Sequence, residues 1–206
     1  MPQEIASWII YFMFYSIIGY LAEVIFCSIY QKKLVGRGFL FGPYCPIYGA
    51  GSLLILFATS NIQDNVVLTF VVSAAVCSAL EYLTSWLMEK LFHIRWWDYS
   101  KTDRINLHGR ICLRNSIIFG IGGCFMIYRA HNFVRSVVNL FSINQQIFLA
   151  ALSITVLALD FLISLYATIK VKGALNLENL IGDQTNEIKR NCRKAVKQLV
   201  NKKRKK

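Results

Sequence analysis

The sequence predicts an all-α polytopic membrane protein with about five transmembrane helices, its N-terminus outside and its C-terminus in the cytosol. The 206 residues are 55% hydrophobic, and the mean hydropathy is +0.45. Such values are typical of multi-pass membrane proteins rather than of soluble domains. The apolar residues also form long stretches, with the basic residues gathered between them.

The apolar stretches give the number of helices. A helix needs roughly 20 mostly apolar residues to cross a bilayer. Five segments come close to or exceed this length: Ile5–Tyr30, Gly42–Thr59, Val66–Phe92, Ile111–His131 and Ile147–Ile169. The first begins within the acidic sequence MPQEIAS and is too long for a signal-peptide core, so we expect a retained helix.

The basic residues give the orientation. Of the 23 Lys and Arg residues, 21 lie at 31–41, at 90–114 and from Lys170 onward. Five helices place these three regions on one side, which the positive-inside rule assigns to the cytosol of a cell membrane. We therefore expect a transmembrane domain over 1–170 and a basic amphipathic cytosolic tail over 171–206. The tail would bind anionic lipids, so the net charge of +12 does not indicate a nucleic-acid partner.

Three acidic residues, Glu23, Glu81 and Asp160, lie inside apolar stretches, where a charge is costly and usually functional. They lie ~10, ~13 and ~15 Å from the cytosolic ends of their helices at the α-helical rise per residue. We expect Glu23 and Glu81 to line a cytosol-facing cavity for a cation, a proton or an amine. Asp160 has the weaker case, because it stands alone in a plain helix. Alternatively, each acid pairs with a loop arginine and pins helices together, the arginine candidates being Arg37, Arg110 and Arg114.

The segment RGFLFGPYCPIYGAG (37–51) carries prolines and glycines where a helix should enter the membrane. Irregular backbone at this depth needs cover from protein or a water-filled cavity, and broken helices often mark transporter sites. The alternative is a tight cytosolic turn with Pro46 at the first position of the second helix.

The segment after the third helix is rich in interfacial aromatic residues. Trp and Tyr prefer the headgroup level, so we expect an interfacial element or a docking site for a cytosolic partner at Trp96, Trp97, Asp98 and Tyr99. A divalent metal site is a weaker hypothesis, because the spacing of Glu89, His93 and His108 matches no recognised signature. We expect no cofactor.

Three segments carry a family resemblance: RGFLFGPYCPIYGAG, EYLTSWLMEKLFHIRWWDYS (81–100) and NLHGRICLRNS (106–116), with Gly19, Tyr20 and Glu23 before them. Over about residues 8–135 the chain resembles the bacterial family described as Putative ABC-transporter type IV, or CmpB-like permease. The resemblance implies a permease that works with a separate ATPase subunit. Candidate ligand-binding residues at matching positions are Glu23, Arg37, Tyr48, Glu81, Tyr82 and Arg110.

Three functions follow as hypotheses. The first is a permease-like protein, in which Arg37 and Arg110 gate or balance Glu23 and Glu81. It would need a separate ATPase, because the sequence has no GxxxxGK[ST] motif. The second is a membrane enzyme acting on lipid headgroups through Glu89, His93, Asp98 and His108, although no recognised catalytic constellation supports it. The third is a scaffold or regulator that recruits partners. The sequence leaves homo-oligomerisation open.

Overall fold

The computed structural model describes residues 2–32, 38–92, 95 and 97–170. Within these residues the chain forms five helices and one short antiparallel hairpin. In chain order they are α1 (Pro2–Gln31), α2 (Pro46–Ala58), α3 (Val66–Phe92), β1 (Asn106–Leu107), β2 (Ile111–Cys112), α4 (Leu113–Asn139) and α5 (Ile143–Lys170).

Four of these helices, α1, α3, α4 and α5, are long and apolar enough to cross a membrane. The predicted all-α polytopic class is therefore confirmed, and all five predicted apolar stretches contain a helix. The number of helices that cross and the orientation of the chain stay predictions. The predicted tail at 171–206 lies outside the described residues.

Helix α2 is shorter than its predicted stretch Gly42–Thr59. Its 13 residues rise ~20 Å, about two thirds of the hydrocarbon thickness. Residues 38–45 before it are not helical. Pro46 does occupy the first turn of the helix, as the turn interpretation required.

The start of α2 nevertheless lies at the middle of α1. The Cys45 N–H donates to the Ser16 carbonyl at 2.9 Å, and Ser16 is ~22 Å along α1 from Gln31 at the α-helical rise. Residues 38–45 therefore lie beside α1 without helical hydrogen bonds, and they bring the start of α2 to the middle of that helix. Whether this segment lies at the cytosolic surface or within the membrane stays a prediction.

Small residues permit this close packing. The Tyr48 ring lies against Gly19 of α1, and Gly49 lies against Ser16 and the Phe12 carbonyl. Small residues also allow close contact between α3 and α4, where Gly120 packs against Phe70 and Gly123 packs against Ser73. At Gly122, by contrast, no atom of another element in the described residues lies within 4 Å of the position its Cβ would occupy.

Helix α4 extends beyond the predicted end at His131. It continues through a single π-helical turn, Met126–Ala130, into His131–Asn139. The polar residues of this last part suggested an end, but Val134 and Val138 are buried. They join an apolar core with residues of α1, α2 and the π-helical turn: Tyr11, Tyr15, Ile55, Leu56, Met126 and Ile127.

The chain divides into two compact units, Met1–Asp160 and Phe161–Lys206. The first contains every element up to and including most of α5. In the second, the described residues are the last turns of α5, residues 161–170.

Replacing Gly49 by Ala should destabilise the protein, because any Cβ there meets Ser16 and the Phe12 carbonyl. We expect a loss of about 1–3 kcal/mol, the usual cost of overpacking. Thermal unfolding in detergent measures it. Gly122→Ala is the matched control, since its methyl meets open space and Ala stabilises a helix by up to ~1 kcal/mol over Gly. Equal stability of both variants would contradict the proposed packing.

Candidate functional site

Asp160 holds the non-helical segment before α2. Its Oδ1 accepts the Phe41 N–H at 3.0 Å. Its Oδ2 accepts the Gly42 N–H at 2.7 Å and the Tyr44 hydroxyl at 2.6 Å. The side chain is buried. Because backbone N–H groups have no water partner inside a membrane, this carboxylate replaces the hydrogen bonds that a helix would have made.

Glu23 lies beside the first turn of α2. The Cys45 thiol is 3.8 Å from Glu23 Oε2, and the Tyr48 hydroxyl is close enough to Glu23 to interact with it electrostatically. Carboxylates are favoured near helix N-termini, where the helix dipole is positive. The break before α2 thus places a favourable helix end next to an intramembrane acid.

Glu81 of α3 is 7% exposed and has an incomplete set of hydrogen bonds. The Tyr99 hydroxyl donates to Oε1 at 2.9 Å. The Asn115 amide lies near Glu81, but its hydrogen bond goes to the Tyr99 hydroxyl at 2.7 Å. Glu81 Oε2 is buried and has no hydrogen-bond partner among the described residues. Tyr48 is within electrostatic reach of Glu81 as well as of Glu23.

The three intramembrane acids therefore converge on one short segment. Asp160 contacts residues 41–44, Glu23 lies at residues 45 and 48, and Glu81 lies near residue 48. We define the acidic site as Glu23, Glu81 and Tyr48, and the strap as residues 38–45. The contacts of the three acids all lie within residues 41–48, and a shared binding site stays a prediction. The acids meet through the strap and α2, which the depth estimate could not show.

The arginines lie elsewhere than the pairing hypothesis expected. Arg110 contacts Glu89 at 2.6 Å and the Ser85 hydroxyl at 3.2 Å. Arg114 pairs with Asp103 at 3.1 Å. Among the ion pairs of the described residues, these two arginines thus pair with Glu89 and Asp103 rather than with Glu23 or Glu81. Arg37 lies outside the described residues.

The loop that follows α3 folds back over one face of that helix. The Arg110 guanidinium lies 5.8 Å from the centre of the Tyr82 ring. Tyr99 contacts Glu81, and Arg110 contacts Ser85 and Glu89. These three residues of α3 repeat every four positions and therefore share a helix face. This face is a polar path from buried Glu81 to Glu89, whose side chain is 37% exposed.

The hairpin fixes the shape of this loop. His108 and Gly109 have φ of +54° and +68°, the left-handed conformation that tight hairpin turns require. The Trp97 indole donates to the Arg110 carbonyl at 2.9 Å, and the Tyr99 N–H donates to the Gly109 carbonyl at 2.8 Å. Trp97 and Tyr99, both expected as docking residues, thus also tie the loop together. Trp96 lies outside the described residues.

Two loop groups have perturbed pKa values. Hydrogen bonds from Ser100, together with the nearby Arg95, lower the pKa of the exposed Asp98. Burial and the neighbouring Glu81 carboxylate raise the pKa of the Tyr99 phenol. Tyr99 consequently keeps its proton at neutral pH and serves as a hydrogen-bond donor to Glu81.

The metal candidates are engaged by other groups. Glu89 contacts both Arg95 and Arg110, and His108 Nδ1 is 3.1 Å from the Tyr82 hydroxyl. His93 lies outside the described residues. Within the described part of the chain, no three His, Cys, Asp or Glu side chains are grouped as metal ligands would be.

Sequence reasoning did not assign three residues to this site: Tyr44 and Asn115 were not singled out, and Tyr99 was expected only as a docking residue. Tyr44, Tyr99 and Asn115 bond to Asp160, to Glu81 and to Tyr99 itself. All three act across long sequence separations, so no local pattern identifies their partners. The available hint was the strap itself, because a non-helical segment inside a membrane needs buried acceptors.

Replacing Asp160 by Asn should loosen the strap, because an amide cannot accept all three of the donors that the carboxylate accepts. We expect several-fold faster maleimide labelling of buried Cys45, read by peptide mass spectrometry, and a stability loss of about 1–3 kcal/mol. Buried Cys112 is an internal reference, and Asp64→Asn at an exposed position is the control. Unchanged labelling of Cys45 would show that Asp160 does not hold the strap.

Comparison with known proteins gives one match. No curated protein and no solved structure matches the chain. The model of the family described as Putative ABC-transporter type IV matches residues 10–165. The match extends beyond residue 135, where the resemblance was expected to end, and includes Asp160 and most of α5. By this match over most of its length, the chain belongs to the Putative ABC-transporter type IV family.

Proposed function

We propose that this chain is the permease-like membrane component of an ABC-type transporter and that the acidic site binds a cationic group from the cytosolic side. The observation that carries the proposal is the unpartnered Oε2 of Glu81. A buried carboxylate with an unsatisfied oxygen is costly. A proton or a small cation at Oε2 would remove that cost.

The geometry supports exchange between these two occupants. Glu81 would hold a proton in the resting state, and a cation would enter as that proton leaves, which keeps the local charge constant. Glu23 supplies a second carboxylate, and Tyr48 interacts electrostatically with both acids. A hydroxyl oxygen can also accept a hydrogen bond or coordinate a cation.

The polar face of α3 supports a route to the cytosolic surface. It leads from Glu81 past Ser85 to Glu89, which Arg110 neutralises at 2.6 Å. On the predicted topology Glu89 lies at the cytosolic end of the helix. In this arrangement Arg110 and Tyr82 line the mouth of the route, so Arg110 acts at the mouth rather than as a direct partner of Glu23 or Glu81.

Energy for transport would come from a separate ATPase subunit, since the sequence lacks a nucleotide-binding motif. The loop at 95–112 is the candidate surface for that subunit.

The alternative function, a membrane enzyme that acts on lipid headgroups, is less well supported, because Glu89 and Asp98 are both in ion pairs with Arg95. Arg95 and Arg110 would have to move before Glu89 could act on a substrate.

The test uses purified full-length protein and a panel of chloride salts: sodium, potassium, lithium, choline and ethylammonium. At least one cation should raise the unfolding temperature by several degrees, because a ligand that binds only the folded state stabilises it. Glu81→Gln and Glu23→Gln should abolish that rise. Glu89→Gln, on the same face as Glu81, should retain it.

Two outcomes would contradict the proposal. One is a cation response equal in the wild type and the Glu81→Gln variant. The other is the absence of any cation-specific response in the wild type across the panel. If both Gln variants fail to accumulate in the membrane, the acids act as structural elements rather than as a binding site.

A further inference from the structure

A second polar site lies at the opposite end of the helices from the acidic site. The start of α1 and the end of α4 enclose a groove of about 350 Å³. We call it the outer groove. Among the residues that line it are Glu4, Trp8, Tyr11, His131, Arg135 and Asn139. On the predicted topology it faces the non-cytosolic side.

Two sets of hydrogen bonds, at and behind the wall of the groove, join the helices that form it. The Tyr15 hydroxyl is 3.0 Å from His131 Nδ1. The Ser7 hydroxyl donates to Gln146 Oε1 at 3.1 Å, and the Gln146 amide donates to the Val138 and Phe141 carbonyls. These hydrogen bonds hold α1 and α4 in a fixed arrangement, so the groove is preformed.

The side chains that face the groove differ from those behind it. In the described part of the chain, the donors of Trp8, Tyr11, Arg135 and Asn139 make no side-chain hydrogen bond. Tyr11 is only 8% exposed, and it lines the groove. A largely buried tyrosine that lines a cavity and lacks a partner indicates a position for a ligand acceptor atom.

The charges indicate that this ligand is an anion. Arg135 is close enough to Tyr11 and to His131 to act on both electrostatically. Arginine, amide, indole and phenol groups all donate hydrogen bonds, so the groove offers several donors to one acceptor group. The carboxylate of Glu4 also lines the groove and is engaged in an interaction of its own.

We propose that the outer groove binds a phosphate group. Arginine suits phosphate because its planar fork donates two parallel hydrogen bonds. Trp8 lies in the second turn of α1, and Trp side chains near helix ends prefer the headgroup level of a bilayer. The same chemistry would serve a lipid headgroup phosphate or a water-soluble phosphate ester, and the experiment separates these two sources.

The test titrates purified full-length protein with phosphatidylglycerol and counts bound lipids by native mass spectrometry. Diacylglycerol, which has no phosphate, is the ligand control. Arg135→Gln should weaken the tightest binding step by about tenfold, the loss expected for a charged hydrogen-bond partner. Tyr11→Phe should weaken it several-fold. Arg129→Gln, an exposed arginine on the same helix, should leave it unchanged.

A gain of affinity gives a second readout that misfolding cannot imitate. Glu4→Gln removes a negative charge from the groove and should tighten the same binding step. Competition by glycerol phosphate, with the same dependence on Arg135, would support the phosphate site and assign it a soluble ligand. Equal effects of Arg135→Gln and Arg129→Gln, or equal binding of diacylglycerol, would overturn the proposal.

Discussion

The structure depends on the requirement that backbone N–H groups inside a membrane find acceptors within the protein. The strap at 38–45 has no helical hydrogen bonds of its own, yet it reaches the middle of α1. Asp160 accepts the N–H groups of Phe41 and Gly42, and the Ser16 carbonyl accepts that of Cys45.

The position of the acidic site follows from this arrangement. Because α2 begins at mid-depth, Tyr48 in its first turn lies beside Gly19 and within reach of Glu23 and Glu81. A full-length second helix would fill the space that the strap now leaves for the carboxylates. The same break that costs backbone hydrogen bonds therefore creates the polar interior of the protein.

Much of the fold could be predicted from apolar stretches, since α1 and α3 begin and end near their expected residues. The depth of α2 could not, because Pro46 starts a helix equally well at the surface or inside the membrane. Glu23 and Glu81 were expected at one site, but Asp160 was undervalued because its partners lie more than a hundred residues away. The partner of Arg110 could not be predicted for the same reason, because the sequence does not show that the hairpin directs Arg110 to Glu89.

In the proposed function, the buried carboxyl group of Glu81 holds a proton that a cation can replace. Infrared difference spectroscopy of the purified protein observes this directly, because a protonated carboxyl has its own carbonyl stretching band. We expect a band that decreases when a stabilising cation is added, is absent in Glu81→Gln and persists in Glu89→Gln. A spectrum that is the same in the wild type and in Glu81→Gln would contradict it.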